Sequence, residues 1–273
     1  MKRLVVDHGS ATDVGLVREV NEDSLFAEEP VFVVADGMGG HDGGDVASGI
    51  AVQEFARLAG RSFTLDAGID AIVEALRSAD TRISEYAAGQ RARGQLDFHS
   101  GTTVVAALVV EAPAGPQWLI ANLGDSRIYR FFEGALTQLS VDHSLVQELV
   151  DAGTLTPEQA EKHPDRHVIT RALGGVASAV PDFFHMMLPP GSRVLLCSDG
   201  VSGMIGPTAI AEILGRQGDA RDAARRLVDA AVAAGGRDNA TAVVVDVVGW
   251  ADESPYDAVV QRQSLEQKLG VLP

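Results

Sequence analysis

Three β-favouring runs follow one another between residues 102 and 132 with no helix-length segment between them. They are Thr102 to Val110, Gln117 to Asn122 and Ser126 to Phe132, and the tight segment Leu123-Gly124-Asp125 joins the last two. Neighbouring strands of a parallel sheet need a long crossover between them, usually a helix. The runs therefore predict an antiparallel meander and argue against a doubly wound parallel sheet.

Further strands are predicted on both sides of this meander, at residues 4 to 8, 31 to 35, 183 to 188, 193 to 197 and 241 to 248. The run Val31-Phe32-Val33-Val34-Ala35 is apolar throughout, which indicates a strand covered on both faces. Helical periodicity predicts core helices at roughly 45 to 59, 66 to 88, 207 to 217 and 219 to 234. This order is typical of an α+β fold with a mainly antiparallel sheet core and helices outside.

The segment from Asp142 to Arg171 is polar and helical in pattern, and it separates two groups of core strands. The segment Thr156-Pro157-Glu158-Gln159 has the composition of a capping box, which predicts the start of a short helix. We therefore interpret the segment as a helical insertion. Its first helix is expected to have an apolar face formed by Leu145, Leu149 and Val150.

The chain has 273 residues, of which 46% are hydrophobic, and its mean hydropathy is +0.09. This composition suits one folded domain with a large core, which we place at residues 1 to 249. Residues 250 to 273 are expected to form a C-terminal tail after the Ser254-Pro255 break, with a short amphipathic helix as one interpretation.

The formal net charge of −16 argues against several partners, because an acidic surface repels phosphate backbones and anionic membranes. No segment has the length of a membrane span, and the apolar stretch near the N-terminus is too short for a signal peptide. The cytoplasm is therefore the expected compartment. The lone cysteine, Cys197, excludes an internal disulfide and a multi-cysteine zinc site, and its apolar neighbours predict that it is buried.

Several common catalytic motifs are absent, including the P-loop, His-Glu-x-x-His and Gly-x-Ser-x-Gly. Acidic residues stand instead beside small or polar residues in five separate motifs. These motifs are Glu22-Asp23, Asp36-Gly37, Gly124-Asp125-Ser126, Ser198-Asp199-Gly200 and Arg237-Asp238-Asn239.

Two of these acids, Asp36 and Asp199, are predicted to end apolar strands. An Asp there can project from the edge of a sheet, and a following glycine lets backbone carbonyls approach a cation. One Asp-Gly pair alone is more typical of a turn than of a metal ligand. Five such motifs favour a site for divalent cations.

The chain resembles the metal-dependent protein phosphatases of the PPM, or type 2C, family, and above all its compact bacterial members. The resemblance covers about residues 8 to 248 and rests on the order and spacing of seven motifs. They are Gly15 to Ser24, Asp36 to His41, Ser100-Gly101-Thr102-Thr103, Gly124-Asp125-Ser126-Arg127, Arg171-Ala172-Leu173-Gly174, Cys197-Ser198-Asp199-Gly200 and Gly236 to Thr241.

The resemblance implies a four-layer α-β-β-α sandwich, in which two packed, mainly antiparallel sheets are flanked by helices. It makes residues 1 to 249 a phosphatase catalytic domain. The polar insertion corresponds to the family's flap, at about residues 142 to 172, to which we assign substrate contact and gating.

The resemblance also implies a metal site with two Mn²⁺ or Mg²⁺ ions. Asp36 would bridge the ions and Gly37 would contribute its carbonyl, while Asp199 and Asp238 would complete the second ion. Asp23 and Glu22 would bind through water.

Catalysis in such a site would rest on Asp36 and Arg18. The paired ions would activate a water for in-line displacement of the serine or threonine oxygen without a phosphoenzyme, consistent with the absence of a Cys-x5-Arg loop around Cys197. Arg18 would bind the phosphoryl oxygens. Without the motif, Arg18 would be interpreted as a surface residue paired with Glu19 or Glu22.

Two departures from the family pattern bear on this expectation. Met38 stands where animal members have a histidine that is proposed as the general acid. Bacterial members share the methionine, so a metal-bound water is the expected proton donor. His41 is a nearby alternative, although a histidine in a glycine-rich turn is more often structural or solvated. Gly203 stands where many members have an Asp that helps to bind a third ion, so Asp125 is expected to hold that ion only weakly with Asp199.

Three histidines in the insertion, His143, His163 and His167, are irregularly spaced on a polar segment. This pattern favours solvated surface positions over a metal site.

The leading hypothesis is hydrolysis of phosphoserine and phosphothreonine in proteins by a monomeric enzyme that opposes bacterial serine/threonine kinases, with those kinases among its substrates. One alternative is an inactive module that binds phosphoproteins, although such proteins usually lack a metal ligand. Another is a phosphatase dedicated to anti-sigma antagonists, a branch that normally has added sensory domains.

Overall fold

A computed structural model of the protein describes residues 2–39, 43–113, 115–175, 180–187, 189–216 and 218–252. Of the predicted tail, residues 253 to 273 lie outside the described residues, as does His41.

Eleven described strands form two sheets. In chain order they are β1 (Lys2–Asp13), β2 (Asp23–Glu28), β3 (Val31–Gly39), β4 (Ser100–Thr102), β5 (Val104–Val110), β6 (Gln117–Leu123), β7 (Arg127–Phe132), β8 (Ala135–Gln138), β9 (Asp182–Met186), β10 (Arg193–Cys197) and β11 (Ala240–Asp252). The first sheet has the order β1-β11-β10-β7-β8, and the second has the order β2-β3-β5-β6-β9, with β4 paired to β3. Every pairing between these strands is antiparallel, as the meander predicted.

Seven helices accompany the sheets in the described ranges. They are α1 (Gly44–Ala56), α2 (Leu65–Ala92), α3 (Leu145–Asp151), α4 (Pro157–Ala160), α5 (Asp199–Ser202), α6 (Pro207–Gly215) and α7 (Ala220–Ala233). None of them has both the length and the apolar composition that a bilayer crossing requires.

Three apolar clusters arrange these elements in four layers. Helices α1 and α2 pack on the outer face of the second sheet, and α6 and α7 pack on the outer face of the first. A third cluster fills the space between the sheets, with Phe32, Trp118 and Leu196 among its buried side chains. The predicted sandwich of two antiparallel sheets flanked by helices is confirmed.

Strand β3 shows why a continuous apolar run is needed at the centre of this fold. Val31, Val33 and Ala35 face the helices, whereas Phe32 and Val34 face the other sheet. Because successive side chains of a strand point to opposite faces, both faces must be apolar when both are covered.

Some predicted strand limits were wrong because polar residues also form strands here. Strand β1 continues from the predicted residues 4 to 8 as far as Asp13, since its polar second half pairs with β11. Strand β3 does not end at Asp36 but continues to Gly39, where it pairs with β4. Strands β2 and β8 were not predicted: β2 begins with an acid, and most of the four residues of β8 are exposed.

The insertion is closed at its base by hydrogen bonds between its two ends. Leu145 N donates to Val168 O at 2.9 Å, and Thr170 N donates to His143 O at 2.9 Å. We call residues 142–172 the flap. Its predicted capping box is confirmed, because Thr156 and Gln159 satisfy each other's backbone N–H groups. The buried residue of α3 is Val146, whereas the predicted apolar face is only half-buried, since the helix is short and lies on the surface.

Candidate active site

Acids from both sheets converge at one edge of the sandwich. Asp23 begins β2 and pairs directly with Asp36 of β3. Asp199 begins α5 and is separated from β10 only by Ser198, and Asp238 is separated from β11 only by Asn239. Because these acids lie at or near the ends of paired strands at the same edge, the fold gathers carboxylates that are far apart in sequence.

Asp23 is fixed by contacts that cross between the sheets. Ser198 Oγ donates to Asp23 Oδ2 at 2.8 Å and accepts from Thr241 N at 3.0 Å. The other carboxylate oxygen, Asp23 Oδ1, is buried and has no hydrogen-bond partner among the described residues. A buried polar oxygen without a partner is costly, so this position calls for a ligand.

The crowding of these acids changes their protonation. The pKa of Asp23 is raised to about 7, mainly by burial and in smaller part by nearby Asp199 and Asp238. Burial also raises the pKa of Asp36 well above its usual range, with Asp23, Asp199, Asp125 and Asp238 adding to the effect. Because each carboxylate disfavours ionisation of the others, the group as a whole has the electrostatics of a cation site.

Asp125 belongs to the same electrostatic group. It is 8% exposed, and burial raises its pKa to about 7, with Asp199 as the next cause. It follows Gly124, whose φ of +115° is strained for any residue with a side chain. No carboxylate comes from position 203, where the chain has glycine at the C-cap of α5.

Gly37 allows close approach of three backbone segments. A Cβ at this position would lie 2.2 Å from Gly44 O and 2.4 Å from Glu22 O. The same contact places Glu22 at the site, because Gly37 N donates to Glu22 O at 3.2 Å and Glu22 Oε1 accepts from Gly44 N at 3.2 Å. The glycine is therefore required by packing.

Arg18 pairs with Asp238 and not with Glu19 or Glu22. Its Nη2 donates to Asp238 Oδ2 at 2.8 Å, and this hydrogen bond is the main cause of the raised pKa of Arg18. The two side chains are 49% and 38% exposed, so the guanidinium is at the mouth of the site and open to solvent.

Asn239 organises the loop that presents Arg18, a role that the sequence motif alone did not indicate. Its Nδ2 donates to Val14 O and Val20 O, both at 3.0 Å, and its Oδ1 accepts from Glu22 N at 2.8 Å. One buried amide therefore holds both ends of the Arg18 loop. The sequence feature that could have pointed to this role is the position of Asn239 next to Asp238.

The flap histidines differ from one another. The prediction of a solvated His143 was wrong: the residue is 4% exposed, because its ring packs into the base of the flap and both ring nitrogens have partners. The side chain of His163 is 27% exposed. His167 is exposed, and its Nδ1 lies 3.9 Å from Asp199 Oδ2, a contact that raises the pKa of His167.

Cys197 is fully buried, as its apolar neighbours predicted. Burial raises the pKa of its thiol to about 12. A thiol of this kind is not a nucleophile at neutral pH.

The acids fit divalent cations by their chemistry. Among the described residues no three His, Cys, Asp or Glu side chains meet closely enough to be recognised as a metal site by geometry alone. The group does contain the Asp23 oxygen that has no hydrogen-bond partner, and a close backbone approach at position 37 that only glycine allows. It also contains several carboxylates that each disfavour ionisation of the others. Carboxylate and carbonyl oxygens are the ligands that Mg²⁺, Mn²⁺ and Ca²⁺ prefer.

Comparisons with known proteins agree with this site. The family described as "Protein phosphatase 2C" matches residues 17–238. The serine/threonine protein phosphatase PstP of Mycobacterium tuberculosis is 39% identical over 249 residues, which are 90% of this chain and 46% of PstP, so the chain spans about half the length of that relative. The serine/threonine phosphatase Stp of Listeria monocytogenes is 36% identical over 241 residues, 86% of this chain and 93% of Stp.

A solved structure of a phosphatase domain has the same fold as this chain. The catalytic domain of PstP in complex with two manganese ions superposes with a TM-score of 0.78 at 36% identity, and the match covers 90% of this chain and all of that domain.

Proposed function

Because the chain belongs to the protein phosphatase 2C family of metal-dependent serine/threonine protein phosphatases, we propose that it hydrolyses phosphoserine and phosphothreonine in proteins at the edge where its acids converge. The observation that supports this most strongly is the convergence of Asp23, Asp36, Asp199 and Asp238 beside an exposed arginine.

Two divalent cations, Mn²⁺ or Mg²⁺, are the proposed cofactors. Asp36 and the Gly37 carbonyl would hold the first ion, and Asp36, Asp199 and Asp238 the second, with Asp23 and Glu22 acting through water. When bound, the cations supply the positive charge that activates water and neutralises phosphoryl oxygens. The two manganese ions of the PstP domain support this number, and Asp125 would contribute to a weaker third site.

Arg18 is proposed to bind the substrate's phosphoryl group. Its exposed guanidinium uses one hydrogen bond on Asp238, which leaves further N–H donors directed toward solvent. A planar guanidinium can hold two phosphoryl oxygens and offset their charge. Asp238 keeps the guanidinium oriented before substrate arrives, which reduces the entropy lost on binding.

The reaction is proposed to be a direct displacement. A water oxygen forms the new bond to phosphorus, the bond to the serine or threonine oxygen breaks, and that oxygen takes up a proton. No residue needs to carry the phosphoryl group. The buried thiol of Cys197 supports this, because its raised pKa excludes it as the nucleophile.

The flap is proposed to contact substrate and to gate the site. His167 supports this role because it reaches from the flap to within 3.9 Å of Asp199. The flap's exposed residues are anchored by a base of backbone hydrogen bonds, so substrate can displace its tip without opening the sheets.

Substrates are proposed to be phosphoproteins, among them the serine/threonine kinases that the enzyme opposes. A monomer in the cytoplasm is proposed as the working form. The net charge of −16 supports a monomer, because like-charged copies repel one another.

The test is hydrolysis of p-nitrophenyl phosphate and of a phosphothreonine peptide by the purified chain with Mn²⁺, with and without a chelator. We expect turnover of both substrates that stops on chelation and returns with added Mn²⁺. A folded protein that binds Mn²⁺ by calorimetry but turns over neither substrate would instead be a phosphoprotein-binding module.

A further inference from the structure

His143 connects the flap to the turn that carries Asp125. Gly124 N donates to His143 Nδ1 at 3.1 Å, and His143 N donates to Gly124 O at 2.9 Å. These two hydrogen bonds run in opposite directions between the same two residues. The base of the flap and the turn are therefore held in one fixed register.

The hydrogen bonds also fix the tautomer of the His143 ring. Since Nδ1 accepts from Gly124 N, the neutral ring has its proton on Nε2, which donates to Asp182 Oδ2 at 3.1 Å. Arg171 Nη1, at the far end of the flap, lies 3.3 Å from both His143 Nε2 and Asp182 Oδ1. Since a protonated Nε2 cannot accept, Arg171 donates to the Asp182 carboxylate. Both ends of the flap thus meet on one carboxylate of β9.

The Gly124 turn packs against Thr103, which is hydrogen-bonded to the backbone of Asp36. A Cβ on Gly124 would lie 2.5 Å from Thr103 Cβ, so the turn fits closely over that residue. Thr103 N donates to Asp36 O at 2.9 Å, and Thr103 Oγ1 accepts from Asp36 N at 3.1 Å. The contacts run without a break from His143 through Gly124 and Thr103 to Asp36.

We propose that His143 is a positioning residue, which accepts the Gly124 N–H so that the turn holds Asp125 toward the other acids and moves as one unit with the base of the flap. This inference rests on the proposed phosphatase function. It assigns His143 no contact with substrate, because the ring is 4% exposed and its partners are Gly124, Asp182 and Arg171.

Two substitutions of His143 separate its two nitrogens. In His143→Asn the amide oxygen takes about the position of Nδ1 and can still accept from Gly124 N, whereas the contact with Asp182 is lost. In His143→Gln the amide reaches toward Asp182 and the acceptor for Gly124 N is lost. The two variants are matched in polarity and in the loss of the aromatic ring.

We expect His143→Asn to keep kcat within about threefold of the wild type and His143→Gln to lower it by about tenfold or more, as is usual for groups that orient metal ligands. The KM for p-nitrophenyl phosphate should change little in both, because Arg18 is untouched. Calorimetric titration with Mn²⁺ should show weakened binding of the weakest ion in the Gln variant only.

Asp182→Asn provides the control for His143 Nε2, the ring nitrogen that contacts Asp182. It leaves the ring and the Gly124 contact in place, and the Asp182 side chain is 38% exposed, so the substitution is tolerated. We expect near wild-type kcat and Mn²⁺ binding. Melting temperatures of all variants show whether a loss of activity follows a loss of folding.

Equal kcat in the Asn and Gln variants, or a loss in Asp182→Asn as large as in His143→Gln, would overturn the proposal for His143. An inactive wild type would overturn the proposed function itself, so the two failures are distinguishable. If neither His143 variant folds, a loss of kcat or of Mn²⁺ binding in Asp182→Asn would still overturn the proposal, because it would assign the effect to Nε2 and not to Nδ1.

Discussion

Arg18 Nη2 donates a hydrogen bond to Asp238 Oδ2 at 2.8 Å, which joins two residues 220 positions apart in the chain. One is the proposed phosphate-binding residue and the other a proposed metal ligand. The contact therefore couples the two halves of the site: the acid that would hold a cation also orients the guanidinium. It replaces the local pairing with Glu19 or Glu22 that sequence proximity alone would favour.

Arg18→Ala is expected to raise KM for p-nitrophenyl phosphate by roughly tenfold or more with a smaller effect on kcat, the size expected for one lost charge-assisted hydrogen-bonding group. Steady-state kinetics at saturating Mn²⁺ measure this. Arg237→Ala is the matched control, because Arg237 is an exposed arginine beside Asp238. A fall in kcat at constant KM would contradict a role in binding phosphate.

Asp36→Asn is expected to abolish nearly all turnover at saturating Mn²⁺, since a neutral amide of the same shape cannot bridge two cations. The same substitution should raise the melting temperature of the chelated protein near pH 8, because it removes a carboxyl whose ionisation is disfavoured by burial and by Asp23 across the strand pair. Asp70→Asn, at an exposed position of α2, should change neither property. Retained turnover in Asp36→Asn would contradict the proposed ligand set.

Local patterns predicted most of the fold and much less of the site. Alternation along Val31 to Ala35 reports burial on both faces directly, because the periodicity of a strand is local. The prediction missed β2 and placed His143 on the surface because their environments come from distant segments. Asp23 has a strand partner in β3, and the ring of His143 is covered by Gly124 and Asp182. Polar residues give no such signal until their partners are known.

Gly37→Ala is expected to destabilise the protein by about 1–3 kcal/mol or more, the usual cost of forcing extra volume into a packed site. The new Cβ would meet backbone atoms of Gly44 and Glu22, which cannot rotate away. Urea unfolding of the chelated protein measures the change. Gly89→Ala is the matched control in α2, where a Cβ meets nothing within 4 Å, and it should stabilise by about 0.5–1 kcal/mol. Equal effects of the two substitutions would contradict the close approach at Gly37.

Asp125→Ala is expected to keep the two-ion core and to turn over slowly. Mn²⁺ titration should still show the tighter ions, because Asp36, Asp199 and Asp238 are untouched, while kcat falls and KM changes little. Asp229→Ala, at an exposed position of α7, serves as control. Unchanged kcat would show that a third ion has no function in this chain.

The chelated protein is expected to lose stability as the pH rises from about 5 to 8, the reverse of the usual trend for acid groups held in ion pairs. Burial raises the pKa of Asp23 and of Asp125 to about 7, whereas carboxyls of the unfolded chain titrate near about 4. In that window the folded protein holds more protons than the unfolded chain, so stability is present at low pH and is lost as these groups ionise.

Mn²⁺ should remove the trend, because it binds the ionised carboxylates and stabilises the folded state most at high pH. Melting temperatures across this range with and without Mn²⁺ test both statements. A chelated protein that becomes more stable toward pH 8 would show that these acids are not crowded together in solution.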